Sequence, residues 1–315
     1  MTEISGIHHV TCIAGDAQEN LDFHTGALGM RLVKKSVNQD VPDTYHLFFA
    51  DAAGHPGSDL TFFPWPTMPA MKPGIGLGME VSLAVPTGTL GYWASRLREH
   101  GTSDQQRSTR FGEAVLTFRD PHGLHVALVE TSDARDFTPW DRSPVPAENQ
   151  IRGLHSVRLW ERDVQLTAAF LIDVLGFRSA GEEGGWHRFA VAGGGSGAHL
   201  DVRALPEEHR GAWGVGAIHH VAWRVPNDAA QVAVQGRVAT ARRRPTEVID
   251  RFWFRSVYFL EPGGVLFEVA TDGPGFTADE DLESLGEKLV LPPWLEPHRA
   301  GIEASLPPLT YHVSA

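Results

Sequence analysis

Four times along this chain a short β-like run is followed by a helical stretch and then by strand-like runs punctuated by Gly and Pro. The opening runs are Ile7–Ala14 (IHHVTCIA), Glu80–Pro86 (EVSLAVP), Leu154–Glu161 (LHSVRLWE) and Ile218–Val225 (IHHVAWRV). The helical stretches carry apolar stripes, such as Leu90, Trp93, Ala94 and Leu97, and N-cap candidates such as Asp16. The closing strands of the second and fourth units turn on related frames, Asp-Pro-His-Gly and Glu-Pro-Gly-Gly. A repeat of this kind constrains the fold strongly, because one such unit cannot bury a sheet face alone. It predicts an α+β chain of four βαβββ modules, pairs of which build curved mixed sheets with concave faces able to hold a ligand. The Pro-rich, polar stretch Asp136–Gln150 reads as a linker. The expected domains are therefore residues 1–150 and residues 151–315, each with two modules. A Pro-rich tail from Pro274 is expected to wrap the body of the protein.

The first and fourth openings share a double histidine, His8–His9 and His219–His220, and equivalent strands explain the duplication without any chemistry. In a regular strand, neighbouring side chains point to opposite faces. His219 then shares an apolar face with Val221, Trp223 and Val225, expected beneath the helix, and His8 sits likewise with Val10 and Cys12. His9 and His220 face the concavity. The third unit keeps the first histidine, as His155, but has Ser156 in place of the second. The first histidine thus reads as structural, and the second marks a site where units one and four meet. On the last strand, Glu268 interrupts an apolar run, where an unpaired buried carboxylate is costly. Two histidines and one carboxylate on one face suit a divalent metal with open positions for substrate and oxygen. The matching position of unit two is Ala127, and unit one, with LTFFPW, reads as apolar there. His46, His55, His122, His187, His199 and His209 read as loop residues, solvated or locally hydrogen-bonded.

Composition narrows the classes. Hydrophobic residues make up 42% of the 315 and charged residues 21%, enough for a substantial core. A formal charge of −12, with no basic cluster longer than Arg242–Arg244, argues against nucleic acid or an anionic membrane as partner. A single cysteine, Cys12, allows no internal disulfide and suits a reducing, cytoplasmic setting. The N-terminus has no leader pattern, and no run is long and apolar enough to span a bilayer.

Together, GIHHVT, YHLFFAD, HPGSDLTFFPW, GLHS, GAIHHVAW, DRFWFRSVYFLEPGGVLFEVATDGPGF and DEDLESLGEKLVLPPW resemble the vicinal oxygen chelate superfamily of glyoxalases, bleomycin-resistance proteins and extradiol dioxygenases. They are most similar to its ring-cleaving dioxygenases acting on hydroquinones. The resemblance implies Fe(II), with Mn(II) as the alternative, held by His9, His220 and Glu268. It places Tyr258 and Arg251 beside the metal and matches His8, Thr11 and His219 to positions near it. The implied reaction joins both atoms of O2 to a small aromatic diol and opens the ring, in an enzyme expected to form a dimer or tetramer. Two other readings of the same fold are a glyoxalase-type isomerase, which would want a second carboxylate ligand, and a metal-free drug-binding protein.

Overall fold

A computed structural model describes residues 4–102 and 104–311. The four units appear in order. The first comprises β1 (Gly6–Ala14), α1 (Ala17–Asp22), β2 (Arg31–Asn38), β3 (Val41–Ala50) and β4 (Asp59–Pro64). The second comprises β5 (Leu77–Pro86), α2 (Leu90–Glu99), β6 (Gln106–Arg110), β7 (Glu113–Arg119) and β8 (His125–Thr131). The third comprises β9 (Gly153–Glu161), α3 (Val164–Asp173), β10 (Arg178–Glu183), β11 (Trp186–Ala190) and β12 (His199–Ala204). The fourth comprises β13 (Ile218–Val225), α4 (Asp228–Thr240), β14 (Ile249–Asp250), β15 (Arg255–Leu260) and β16 (Leu266–Thr271). The tail carries α5 (Arg299–Ser305).

Local chemistry sets the helix starts. Asp16, Asp163 and Asn227 each accept a hydrogen bond from a backbone N–H of the first turn. The stripe of unit one is imperfect because α1 is short and widens into a π turn over Phe23–Ala27, which carries Leu28 and Met30 into the core by a different path.

The units pair across the chain rather than along it. One eight-stranded sheet runs β14-β15-β16-β13-β1-β4-β3-β2, joining units four and one; the other runs β10-β11-β12-β9-β5-β8-β7-β6, joining units three and two. The seam of the first sheet is the antiparallel pair β1–β13, and that of the second is β5–β9. One continuous core joins the helix-side faces of both sheets, drawing on Val10 and Cys12, Val81 and Leu83, Val157 and Leu159, and Val221 and Trp223. The concave faces hold separate, smaller clusters, including Phe48, Ala222, Trp253 and Phe254 in the first sheet. The tail packs on the first sheet. There the buried Lys34 of β2 donates to the Phe276 carbonyl and to the carboxylates of Asp279 and Glu280. No helix among the described residues is long and apolar enough to cross a membrane.

Candidate metal centre

Each strand at a seam carries one β-bulge. The β1–β13 register skips His8 on one side and His219 on the other; the β5–β9 register skips Met79 and His155. A bulge inserts an unpaired residue and resets the alternation of faces. Ile7 and Val10 therefore share the core side, as do Ile218 and Val221, although simple alternation would separate them. This corrects the expectation that His8 and His219 lie beneath the helices. His8 packs against Phe254 in the cup, and His219 stacks on Trp213 with ring centres 4.5 Å apart. Each bulged histidine meets its neighbour through a hydrogen bond between Nδ1 atoms, 2.9 Å for His8–His9 and 2.8 Å for His219–His220.

His9 and His220 face each other across the seam, with Nε2 atoms 3.2 Å apart. Glu268, on the strand beside β13, brings Oε2 to 3.3 Å from His9 Nε2 and 3.0 Å from His220 Nε2. All three residues are buried, and their ligand atoms form a candidate metal cluster. Ser256 donates to the other carboxylate oxygen, Oε1, at 2.5 Å, whereas Oε2 has no hydrogen-bond partner among the described residues. An anionic oxygen in the protein interior that faces only the two imidazole Nε2 atoms, with no well-aligned hydrogen bond, is costly. Donor atoms this close together can all lie at ~2.0–2.2 Å from one divalent ion, so the set fits a metal.

The second sheet is an internal control. Register places Glu80 where the first sheet has His9, Ser156 where it has His220, and Asp201 where it has Glu268. Unit three therefore has a carboxylate at the matching position, which the comparison with Ala127 alone did not reveal. Asp201, however, is filled: Arg188 donates to Oδ1 at 2.8 Å and to Oδ2 at 3.1 Å, and Arg158 reaches Oδ2 at 3.4 Å. Arginines thus neutralise the carboxylate of the second cup, whereas in the first cup only imidazoles face it.

A cavity of about 450 Å³ opens onto the cluster, lined by His9, His220 and an aromatic wall that includes Phe48, Phe63, Trp65 and Phe254. Tyr258 and Arg251 line it too. The Tyr258 ring lies 5.7 Å from that of His220, and the Arg251 guanidinium lies 5.5 Å from the Tyr258 ring. Arg251 donates twice to Asp40, at 3.1 and 2.8 Å. Burial, and next the Glu268 charge, push the Tyr258 phenol well above its ordinary range. Burial alone would lower the Arg251 pKa, but Tyr258 and Asp40 raise it. Burial alone would raise the Glu268 carboxyl, but His9 and His220 hold it well below its usual range. Burial, with the adjacent ring next, lowers His8 and His219 to about 3 each.

Thr11 is fully buried and reaches the site indirectly. Its Oγ1 lies 2.7 Å from Thr61 Oγ1, which lies 3.0 Å from His46 Nε2. Register matches Thr61 to Glu268, since Thr11 pairs with Thr61 as Ala222 pairs with Glu268. The unit-one position read as apolar therefore carries a hydroxyl, though not a carboxylate. His46 is not a loop residue but part of β3, and it lines the cavity. The only signal for it was its place in the Tyr45–Ala50 run, obscured by the polar residues before it. His199 likewise belongs to β12.

The chain matches the family model described as the glyoxalase/bleomycin resistance protein/dioxygenase superfamily over residues 6–128 and 153–269. It is 41% identical over 303 residues to a Bacillus subtilis protein, MhqO, provisionally named a ring-cleaving dioxygenase, with 96% of each chain covered. It is 34% identical over 301 residues to the chlorohydroquinone/hydroquinone 1,2-dioxygenase of Sphingobium indicum, covering 93% of each. Among solved structures, a protein from Bacillus subtilis provisionally named a dioxygenase superposes with a TM-score of 0.92 at 40% identity, covering 98% of this chain and 99% of that one. Glyoxalase I from Zea mays, 14% identical with a TM-score of 0.63 over 85% of this chain and 92% of that one, shares the fold.

Proposed function

The chain belongs to the glyoxalase/bleomycin resistance protein/dioxygenase superfamily, and from that premise we propose that it is an Fe(II)-dependent, extradiol-type ring-cleaving dioxygenase acting on a hydroquinone or related aromatic diol. One observation carries the reading: two imidazoles and the Glu268 carboxylate each bring one ligand atom together at the end of an aromatic-walled cavity. The relatives named as ring-cleaving dioxygenases support the reaction class, and the name of the Sphingobium indicum relative supports a hydroquinone as substrate.

His9, His220 and Glu268 would hold the metal. Fe(II) bound there supplies open positions for a ring hydroxyl and for O2, together with the one-electron chemistry that singlet organic molecules need to react with O2. The protein does the rest. Nε2 of each ligand histidine carries the donated lone pair, so Nδ1 keeps its proton and donates to His8 or His219, which fixes tautomer and ring orientation. The Tyr258 phenol, held protonated, donates a hydrogen bond to the oxygen of the bound ring. Arg251, oriented by Asp40, supplies fixed positive charge beside Tyr258 for the negative charge that develops as the ring opens. Phe48, Phe63 and Phe254 exclude water and give the flat substrate its slot. Thr11 acts from behind, through Thr61.

Purification without air, metal quantification and oxygen-electrode measurements on a panel of hydroquinones and catechols test the proposal. One iron per chain, with one O2 consumed per hydroquinone and a ring-opened product, is the expected result. Zinc or nickel with thiol-adduct isomerisation and no oxygen uptake would replace it with the isomerase reading, which Thr61 at the position matching Glu268 disfavours. A preparation that binds no metal would overturn both.

A further inference from the structure

The two halves of the first sheet are related position by position, and one pair of equivalents has diverged in a telling way. Tyr258 stands opposite Glu268 on β15–β16, and Phe48 stands opposite Thr61 on β3–β4. Two residues before each lie Ser256 and His46. Ser256 donates to Glu268, and His46 bonds through Nε2 to Thr61 at 3.0 Å. The same supporting contact thus holds a metal-ligand candidate on one flank and an imidazole on the other. In sheet order β15 and β3 lie on opposite sides of the β13–β1 seam, so Tyr258 and His46 come from opposite flanks of the cup. His46 is clamped between Phe48 and Phe63, with ring centres 3.8 and 4.4 Å away, and it lines the cavity. Its Nδ1 has no hydrogen-bond partner among the described residues and is not sealed from the cavity.

A polar atom fixed in an aromatic wall is how a pocket orients a flat ligand and tells it from an analogue lacking one polar group. We propose that His46 reads the substrate: Thr61 pins its Nε2, and its Nδ1 hydrogen-bonds the hydroxyl of the aromatic diol that the metal does not take up. This rests on the dioxygenase reading above. Because the Thr61 hydroxyl rotates, it donates to Nε2 or accepts from it, and Nδ1 takes the complementary role. The residue thereby accommodates the far hydroxyl as donor or acceptor without acquiring charge, in keeping with burial, then His9 and His220, holding its pKa well below the usual range.

The test is anaerobic equilibrium binding of hydroquinone and of phenol, which lacks the second hydroxyl, to iron-loaded protein. Wild type is expected to prefer hydroquinone by about tenfold, the scale of one buried hydrogen bond. In His46→Phe the preference falls to within about twofold, with phenol affinity and iron content unchanged, and kcat/KM for hydroquinone drops by ~10–100-fold. His46→Gln, which keeps a polar group against Thr61, retains part of the preference. Thr61→Val, which removes the pin but not the imidazole, loses part of it; these two variants carry the test if the Phe variant does not fold. An undiminished preference in the variants, or none in wild type, overturns the proposal while leaving oxygen consumption intact. Wild type that binds hydroquinone through His46 but consumes no O2 with any diol instead overturns the dioxygenase reading alone.

Discussion

Glu268 is fully buried, and the short bond from Ser256 to Oε1 decides which way its free oxygen points. A group that orients a metal ligand typically contributes 10–100-fold to metal affinity. Ser256→Ala is expected to weaken iron binding by about that factor, read by anaerobic competition with a chromophoric chelator; unchanged affinity would mean the carboxylate needs no such support. At this scale the sequence was informative about which residues converge, His9, His220 and Glu268, because a carboxylate in an apolar strand and a doubled histidine are conspicuous as residue types. It misled about their neighbours. Strict alternation put His8 and His219 on the helix side, and nothing in Ile7-His8-His9-Val10 announces that His8 is an extra residue in the ladder. A bulge is a property of two strands in register, and neither strand reveals it alone. His46 was hidden for a related reason: Pro42, Asp43 and Thr44 look like a loop and are left unpaired by β2, between the Asn38–Val41 and Val37–Tyr45 pairs, yet regular pairing resumes at Tyr45 and takes in His46.

The four openings showed that equivalent elements exist but not which of them pair. β1 could meet any of three counterparts, all with the same pattern of apolar residues; in the structure it joins β13, and β5 joins β9. The histidines held the better hint, since only units one and four carry both. What distinguishes the two sheets physically is how each cup is filled. In the second, Arg110, Arg158 and Arg188 interleave with Glu80, Glu113 and Asp201, three positive groups against three negative ones. Arg188 is the centre, bonded both to Asp201 and, at 2.7 Å, to Glu113. Removing one partner of a buried pair leaves the other charged and unpaired, at a cost of ~3–5 kcal/mol. Arg188→Met is therefore expected to destabilise the fold by about 3 kcal/mol in urea unfolding while metal content and the Kd for hydroquinone in the first cup stay as in wild type. Equal loss of metal would show that the two cups are not independent.

Across the whole molecule, the two sheets meet where the β15–β16 turn of the first lies on β9 of the second. The turn contains Glu261-Pro262-Gly263-Gly264, and Gly263 leaves the room that the Glu161 carboxyl occupies: a Cβ there would displace it. The contact brings two carboxyls, Glu161 and Glu261, into the interior together, both essentially inaccessible. Glu261 is well served, accepting from the Thr167 hydroxyl at 2.8 Å and from the Val265 amide at 3.0 Å. Burial first, and next the charge of Glu261, push the Glu161 carboxyl up from 4.5 to about 9, so it keeps its proton in the fold at neutral pH. Once the chain unfolds, that proton is released above pH ~4.5. Between the two values the unfolded chain binds fewer protons than the folded one, so this group's contribution to stability falls steadily as pH rises from about 4.5 to 9 and levels off beyond. Glu161→Gln copies the shape and hydrogen-bonding capacity of the protonated acid without a proton to lose. It is expected to be close to neutral at pH 5, to gain ~1–3 kcal/mol over wild type at pH 8, and to show a flatter profile between them, all read from urea midpoints at a series of pH values. Parallel profiles for the two proteins would place the Glu161 proton elsewhere and make the junction of the sheets an ordinary polar contact.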